Sequence, residues 1–437
     1  MFVDGSIVEA ALAIDEEVIT WIGKESSKPS ANKTISLDDR LVLPGIVDLH
    51  VHFRDQNLSA KETFSSGSRA AAMGGVTSVA DMPNNDPPTG SPQALKQRMN
   101  AAEGKIHVNT AFYSLLSTSE PTIAALSRDG AIGFKFFMYN PLNGSDPEDD
   151  ELLTRVFKIL RKGDLSLAVH AESRRILRET ASRLTEQELN DPVEYPATRP
   201  PRAEFEAVDR VTRIAKSVGN LTHLCHLSTR IGVDLVRKAK AAGVPVTCEV
   251  TPHHLLLSGS QMRRLGSKGI MNPPLRSKED VVGLWEGVLD GTVDALASDH
   301  APHERFEKEL GSATSVPPGF PGLETLASTI LTQVNHGRIS LSRFVSLTST
   351  NPARILGLKG RGILKKGYYA DLIIVDLKKD GRIDPSRFES KAKYSPFEGF
   401  KTKGAVDATI VRGQVVMENG EIVAEKAKGE ILMRERG

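Results

Sequence analysis

Short apolar runs rich in β-branched residues alternate with longer amphipathic runs from Leu41 to Val334. Eight short runs have the length and composition of buried strands: Val42–Phe53, Val76–Met82, His107–Tyr113, Ile132–Phe137, Ser166–His170, Leu221–Leu227, Val244–Val250 and Val293–Ala297. The amphipathic runs predict helices at Lys61–Met73, Pro92–Ala102, Asp150–Lys162, Ala203–Val218, Gly232–Ala242, Lys278–Leu289 and Gly322–Val334. This alternation over eight strands predicts an α/β fold with parallel strands closed as a (β/α)8 TIM-type barrel.

The main structural alternative is an open, doubly wound sheet. Such a sheet usually carries a glycine-rich phosphate-binding fingerprint after its first strand. The sequence has no Gly-x-Gly-x-x-Gly there, and the first predicted strand instead reaches His50-Val51-His52. The barrel is therefore the favoured fold.

The two chain ends have a different pattern of short strands and turns. Strands are predicted at Val18–Ile22, Ala370–Val375, Ala408–Val411 and Gln414–Glu418, with turns at Arg412-Gly413 and Asn419-Gly420. We expect both ends to meet in one small β-sandwich beside the barrel, which predicts domain limits of 1–44, 45–355 and 356–437. The acidic, turn-rich segment 140–150 is either a mobile loop over the barrel mouth or an ordinary surface loop.

Composition and charge indicate which partners and which cellular compartment to expect for the protein. The 437 residues include 56 Lys and Arg against 55 Asp and Glu, a formal net charge of +1, which favours neither a nucleic-acid nor a membrane partner. Two cysteines, Cys225 and Cys248, are too few for a disulfide framework and indicate a reducing compartment. There is no secretion signal and no apolar run of about 18 residues that could span a membrane, so we expect a cytoplasmic protein.

Candidate metal ligands occur where the predicted strands end. His50 and His52 are two residues apart, so on a strand both imidazoles would lie on the same face. Taken alone, this pair is more often polar alternation on a half-buried strand than a metal site. His170, His226 and Asp299 follow the fifth, sixth and eighth strands, and barrel active sites form at those carboxyl ends. Together these residues predict a divalent-metal site assembled by the fold.

Lys135 is an unusual residue for its surroundings, because it lies in the apolar run Ile132–Met138. A buried lysine is costly unless it is paired or neutral. A buried ion pair or a side chain that reaches solvent would account for it. Among four histidines and an aspartate, we favour addition of CO2 to the neutral amine, which gives an anionic carbamate able to bridge two metals.

The sequence as a whole resembles the amidohydrolase superfamily, and within it the dihydroorotases. The resemblance covers nearly the whole chain in family order, through the stretches Leu43–Arg54, Gly74–Thr77, Asp81–Asn84, Gly133–Lys135, His223–His226, Met271–Arg276, Asp299–His303 and Ala370–Leu372. It implies a zinc-dependent enzyme that hydrolyses the cyclic amide of (S)-dihydroorotate reversibly to N-carbamoyl-L-aspartate, the third step of de novo pyrimidine (UMP) synthesis.

The resemblance also implies roles for individual residues. His50, His52 and Asp299 would hold one Zn2+, His170 and His226 a second, and N6-carboxylated Lys135 would bridge them. Asp299 would be the catalytic base and acid. The substrate-binding residues would be His52, Arg54, Asn84, Asn272 and His303, with backbone contacts from Pro318 and Gly319. Arg54 could instead form a surface salt bridge, and the two asparagines could be turn residues beside prolines.

Two further functions compete with this prediction. Allantoinases and hydantoinases would share the barrel, the zinc pair and the lysine, but Arg54 and the direct run from Met82-Pro83 into Asn84 favour dihydroorotase. A non-catalytic scaffold of the same superfamily would be expected to lack ligands that this chain has. We expect a small-molecule substrate, and a homo-oligomer or association with another pathway enzyme remains open.

Overall fold

The computed structural model describes residues 1–141 and 146–434. Most of the predicted loop 140–150 is included, but its central residues 142–145 lie outside the described part. The strands are β1 (Phe2–Val3), β2 (Ser6–Ile7), β3 (Ala11–Asp15), β4 (Val18–Gly23), β5 (Leu41–Pro44), β6 (Ile46–Val51), β7 (Val76–Asp81), β8 (Asn109–Leu115), β9 (Gly133–Phe137), β10 (Leu167–His170), β11 (Thr222–Leu224), β12 (Val246–Val250), β13 (Ala295–Leu296), β14 (Leu372–Arg382), β15 (Lys401–Val411), β16 (Gln414–Glu418), β17 (Glu421–Ile422) and β18 (Ile431–Leu432).

The α-helices mostly connect successive strands. They are α1 (Phe64–Met73), α2 (Pro92–Ala102), α3 (Glu120–Arg128), α4 (Asp150–Lys162), α5 (Arg174–Ala181), α6 (Glu186–Asn190), α7 (Tyr195–Thr198), α8 (Pro201–Val218), α9 (Arg230–Ala241), α10 (Pro252–Leu256), α11 (Met262–Leu265), α12 (Lys278–Asp290), α13 (Leu323–Asn335), α14 (Leu341–Val345) and α15 (Asn351–Leu356). Among the described residues, no helix is both long and apolar enough to cross a membrane.

Strands β6 to β13 form the predicted barrel. Each pairs in parallel with the next along the chain, and a bridge between Val51 and His300 brings the first strand beside the segment that follows the eighth. The His52 N–H donates to the His300 carbonyl across this join at 2.8 Å. All eight carboxyl ends therefore face the same side, where barrel active sites form.

Alternation along the strands decides which side chains enter the barrel. On β9, Phe134 and Phe136 pack in the outer core between strands and helices, so Lys135 between them faces the interior. On β6, Val47 and Leu49 belong to the smaller interior cluster. The interior apolar cluster is small, and polar side chains occupy the carboxyl end of the barrel.

Both chain ends build one antiparallel sheet in the order β17-β16-β15-β14-β5. On β14, Leu372 and Ile374 face a cluster that includes Ile19 of the β3–β4 hairpin. Ile373 and Val375 face the barrel core instead. The sheet thus has one face against the hairpin and one against the barrel, as expected for β-structure shared by both ends.

One predicted strand needs correction, and two helical regions were not predicted. The predicted strand Val42–Phe53 is two strands, because the chain leaves the end sheet at Pro44 and enters the barrel at Ile46. Helix α3 was not predicted, although its N-cap Ser119 accepts from Thr122 N–H and a proline follows in the first turn, which are recognisable start signals. Helices α5 to α7 form an unpredicted insertion between β10 and α8.

Candidate active site

Six predicted ligands meet at the carboxyl end of the barrel. We call them the strand-end cluster: His50, His52, Lys135, His170, His226 and Asp299. His50 lies on β6 and His170 is the last residue of β10, whereas His52, His226 and Asp299 lie just beyond their strands. Lys135 is the middle residue of β9 rather than its end, so its long side chain has to reach along the barrel interior.

One half of the cluster is built around the Asp299 carboxylate. Its Oδ1 lies 3.4 Å from His50 Nε2 and 3.2 Å from His52 Nε2. These three side chains offer ligand atoms that all lie within 4.8 Å of one another. Two imidazole nitrogens and a carboxylate oxygen at this spacing could hold a divalent metal ion.

The other half contains His170 and His226. Their ring centroids lie 4.5 Å apart, and His226 is 5.1 Å from His50, so the two halves adjoin. The buried Nδ1 of His226 has no hydrogen-bond partner within the described chain. An unpaired buried nitrogen is costly and calls for an explanation. A metal ion bound to this nitrogen would explain it, and the neighbouring histidines and Asp299 are side chains that can bind such an ion.

Lys135 is fully buried among these groups. Its Nζ donates to Cys225 Sγ at 2.9 Å, and a thiol is a weak acceptor for a buried ammonium. Burial raises the pKa of the Cys225 thiol to about 12, so this sulfur remains protonated. In the described part of the chain, this buried amine thus donates to a neutral thiol, which is a poor partner for an ammonium.

The imidazoles have the protonation state that metal binding needs. Burial, and then the nearby Lys135, lowers the pKa of His50 to about 4. Burial likewise lowers the pKa values of His52, His170 and His226. All four rings are neutral near pH 7, and a neutral imidazole is the form that ligates a metal.

Glu249 on β12 supports both halves, and sequence reasoning missed it. Its carboxylate accepts from His226 N–H at 3.0 Å and contacts His50 Nδ1 at 2.6 Å and His223 Nε2 at 3.1 Å. Burial alone would raise the pKa of Glu249, but His50 and His223 hold it below its usual value. An acidic residue inside the apolar run Val244–Val250 was the signal that could have revealed it.

Glu172 plays a similar part for His170. Its Oε2 lies 2.6 Å from His170 Nε2. Arg199 donates to the same carboxylate and stacks on the Tyr139 ring at 4.8 Å. Burial opposes ionisation of Glu172, but Arg199 and His170 lower its pKa below the usual value. Such partners fix the orientation of a ligating imidazole.

The predicted substrate residues lie on loops around the cluster. We call them the loop wall: Arg54, Asn84, Asn272, His303, Pro318 and Gly319. The structure joins Arg54 Nη2 to His303 Nε2 at 3.3 Å, and His303 Nε2 to the Pro318 carbonyl at 3.0 Å. Asn84 Oδ1 lies 2.7 Å from His52 Nδ1. The wall therefore adjoins the cluster on the side of His52.

Arg54 reaches this position in a way that the sequence did not predict. Strand β6 ends at Val51, so alternation along a strand does not orient Arg54. The residue instead has a positive φ of 53°, and its Nε donates to the Pro302 carbonyl at 3.2 Å. His226 and Asp299 also have positive φ, of 32° and 47°. Uncommon backbone conformations of this kind concentrate at functional sites.

Asn272 and Gly319 join the wall through neighbouring loops. Asn272 Oδ1 accepts from the Tyr195 hydroxyl at 2.6 Å, and the Gly319 N–H donates to the Ile270 carbonyl at 3.0 Å. At Gly319 a Cβ atom would lie 2.6 Å from Ala301, and φ is +126°. This position therefore requires glycine for the chain to pass so close to the segment after β13.

Comparison with known proteins agrees with this architecture. The sequence model of the amidohydrolase family matches residues 41–416. A dihydroorotase of Methanothermobacter thermautotrophicus is 38% identical over 413 residues, 94% of this chain and 92% of that protein. A dihydroorotase of Pyrococcus horikoshii is 36% identical over 432 residues, 98% of this chain and 93% of that protein.

Solved structures of hydantoinases have the same fold. The L-hydantoinase (dihydropyrimidinase) from Arthrobacter aurescens has a TM-score of 0.94 at 33% identity, covering 98% of this chain and 96% of that one. The D-hydantoinase from Thermus sp. has a TM-score of 0.90 at 29% identity, covering 98% and 95%. Since the family match spans most of the chain and full-length relatives exceed 30% identity, the chain belongs to the amidohydrolase family.

Proposed function

We propose that the protein is a dihydroorotase, which interconverts (S)-dihydroorotate and N-carbamoyl-L-aspartate in pyrimidine synthesis. The observation that carries the proposal is the pairing of Arg54 with His303 directly beside the strand-end cluster. Dihydroorotate is dihydrouracil with a carboxylate on the ring, and hydantoin is a smaller ring without a carboxylate. A buried arginine beside the reacting centre is suited to bind that carboxylate.

We further propose that the strand-end cluster holds two zinc ions. His50, His52 and Asp299 would bind one, His170 and His226 the other, and Lys135 as N6-carboxylysine would bridge them. Three observations support this arrangement: the neutral imidazoles, the unpaired His226 Nδ1, and the buried Lys135 amine, which donates to the Cys225 thiol. When bound, such ions would polarise the amide carbonyl and acidify water.

The chain's own residues position the substrate and transfer the proton. Arg54 and Asn84 hold the ring carboxylate, which fixes the scissile amide toward Asp299. Asp299 accepts the proton of the attacking water and returns it to the ring nitrogen as the C–N bond breaks. Asn272, His303 and backbone groups of Pro318 and Gly319 would complete the contacts to the ring. The reverse sequence closes the ring.

A hydantoinase-type activity is the second candidate, because the hydantoinase from Arthrobacter aurescens has a TM-score of 0.94 with this chain. Hydantoin itself carries no carboxylate on its ring. The two candidates therefore differ in what Arg54 should contribute. A cytoplasmic location, a homo-oligomeric state and association with another pathway enzyme remain predictions.

A substrate panel tests the proposal. Metal-replete protein is assayed with dihydroorotate, allantoin, hydantoin and dihydrouracil by ring-amide absorbance, with Asp299→Asn as the matched inactive control. We expect preferred turnover of dihydroorotate, lost in the control. Preference for an uncharged ring would overturn the substrate assignment and favour the hydantoinase alternative. Absence of turnover of every substrate by metal-loaded protein would overturn the enzyme assignment and favour a scaffold.

A further inference from the structure

Lys61 reaches the far side of the loop wall from the segment before α1. Its Nζ lies 3.1 Å from His303 Nδ1 and donates to Glu307 Oε1 at 2.8 Å. The Lys61 and Glu307 side chains are each 19% exposed, whereas His303 is 7% exposed. The partly buried ion pair of Lys61 and Glu307 therefore contacts Nδ1 of the buried His303 ring through the Lys61 ammonium.

These contacts select one tautomer of His303. An ammonium has donors and no acceptor, so the ring nitrogen that faces Lys61 must accept, and Nδ1 carries no proton. The opposite nitrogen lies 3.0 Å from the Pro318 carbonyl, which can only accept, so Nε2 must carry the proton. These two contacts favour the Nε2–H form, whereas the donor Arg54 Nη2, which lies 3.3 Å from the same Nε2, opposes it at a longer distance.

This tautomer changes what the ring presents beside Arg54. Arg54 Nη2 lies 3.3 Å from His303 Nε2, and a guanidinium also has donors alone. In the Nε2–H form the two groups place donors side by side, and an anionic oxygen there would share the Nε2–H with the Pro318 carbonyl, which lies 3.0 Å from Nε2. In the Nδ1–H form, Nε2 would instead carry a lone pair and no proton. It would then repel a carboxylate held by Arg54.

Protonation of the ring is disfavoured, so its tautomer decides its role. Burial lowers the pKa of His303 well below its usual value, and the cations Arg54, Lys61 and Lys308 lower it further. Glu307 is the acidic residue nearest to Nδ1 of this ring. Its Oε2 lies 3.8 Å from His303 Nδ1, so with Lys61 removed a small shift of the Glu307 side chain would let it accept a hydrogen bond from an Nδ1–H.

We propose that Lys61, held by Glu307, is a positioning residue that keeps His303 in the Nε2–H tautomer and so presents a second donor, beside Arg54, to the substrate carboxylate. This assignment of the carboxylate rests on the proposed function. The tautomer itself depends on the contacts of Lys61 and Pro318. Lys61 acts through His303 and does not touch the reacting atoms.

The first test is spectroscopic and needs no substrate. Long-range proton–nitrogen NMR of histidine-labelled protein reads the tautomer of His303, with its signals assigned by their loss in His303→Gln. We expect Nε2–H in the wild type and in Lys61→Arg, which keeps a donor. In Lys61→Met we expect Nδ1–H, because Glu307 becomes the partner of that nitrogen. An unchanged tautomer in Lys61→Met, or Nδ1–H in the wild type, overturns the proposal.

The second test separates binding from chemistry. In Lys61→Met the KM for dihydroorotate should rise about tenfold or more, the effect of losing one hydrogen bond to a charged group, while kcat changes far less. Lys61→Arg should restore KM. In a His303→Gln background Lys61→Met should raise KM no further, because the two residues act as one unit. A full additional rise there would show that Lys61 acts independently and overturn the proposal.

The control substrate is hydantoin, which has no carboxylate. Any turnover of hydantoin should have the same KM in Lys61→Met and wild type, and an equal rise for both substrates would overturn the carboxylate role. If the wild type turns over no dihydroorotate but the NMR tautomers follow expectation, the proposed function fails and the positioning of His303 by Lys61 stands.

Discussion

The strand-end cluster and the loop wall are held in place by different kinds of interaction. His50, Lys135 and His170 are parts of barrel strands, so parallel backbone ladders fix their positions. The residues of the loop wall lie outside the strands, and side-chain contacts fix them. The region proposed to perform the chemistry thus has a rigid base, and the region proposed to choose the substrate can vary without disturbing it.

Lys308 shows how the loop wall is fastened. Its fully buried Nζ donates to the Ile270 carbonyl at 3.0 Å and the Pro317 carbonyl at 2.9 Å. It thereby ties the loop of Asn272 to the loop of Gly319. Burial lowers the pKa of Lys308 to about 7, which shows the cost of placing a lysine there. No strand ladder offers these loops an equivalent support.

The largest expected effect comes from the centre of the cluster. Lys135→Met removes the proposed bridging anion but keeps a side chain of similar length. We expect kcat to fall by at least about 1,000-fold, because stabilisation of developing charge is lost, and bound metal to fall below two ions per chain. Elemental analysis and the dihydroorotate assay measure both. Lys158→Met, on the exposed face of α4, is the control; full metal content in Lys135→Met would contradict the bridging role.

The second-largest effect is expected for Glu249, whose carboxylate contacts residues of the strand-end cluster. Glu249→Gln weakens a carboxylate that contacts His50, His223 and the His226 backbone. Metal affinity should fall about 10- to 100-fold, as for other residues that orient metal ligands. Competition with a chelator measures this, with the exposed Glu421→Gln as control. Unchanged affinity would mean that the strands alone orient these histidines.

The loop wall should respond differently. In Arg54→Met the KM for dihydroorotate should rise about 10- to 100-fold through loss of charge-assisted hydrogen bonds to the carboxylate, with metal content unchanged. Steady-state kinetics and elemental analysis on the same sample separate the two effects. A loss of metal would make Arg54 part of the cluster's support and remove the distinction between the two regions.

The last effect is on stability and not on activity, and it concerns how the loop wall is anchored. Glu324 accepts from Glu389 and Ser390 N–H at 2.8 and 3.2 Å, in the segment that leads to Tyr394 beside His303. Burial raises the pKa of Glu324 from 4.5 to about 8. Between these values the folded chain holds a proton that the unfolded chain releases. Its stabilising contribution is therefore complete below pH 4.5 and is lost as the pH rises toward about 8.

Glu324→Gln removes the titrating carboxyl group, and with it this pH dependence of stability, but keeps a side chain of the same shape. Across that pH range the free energy of unfolding of the wild type, relative to the variant, should fall by about 1.4 kcal/mol per pH unit. Urea unfolding at a series of pH values measures the difference. Parallel profiles for the two proteins would show that Glu324 is ionised in the folded state.

Sequence reasoning reached the fold because the strands have a strong local signal. Buried β-branched runs identify the barrel strands to within a few residues, whereas the structure was needed to show that Lys135 faces the barrel interior. Sequence reasoning missed helix α3, whose start signals are local but whose apolar face is short. It also treated Val42–Phe53 as one strand, although Pro44-Gly45 is a local break signal and coincides with the predicted domain limit between residues 44 and 45.

By itself, the sequence determined the order of strands and helices and which polar residues lie at strand ends, because both follow from spacing along the chain. Tertiary structure alone decided that Glu249 reaches His50, 199 residues away, and that Lys61 reaches His303, 242 residues away. It also decided the left-handed turn that directs Arg54 toward His303. Contacts of this kind depend on how barrel closure and loop packing bring distant segments together, and no local period encodes them.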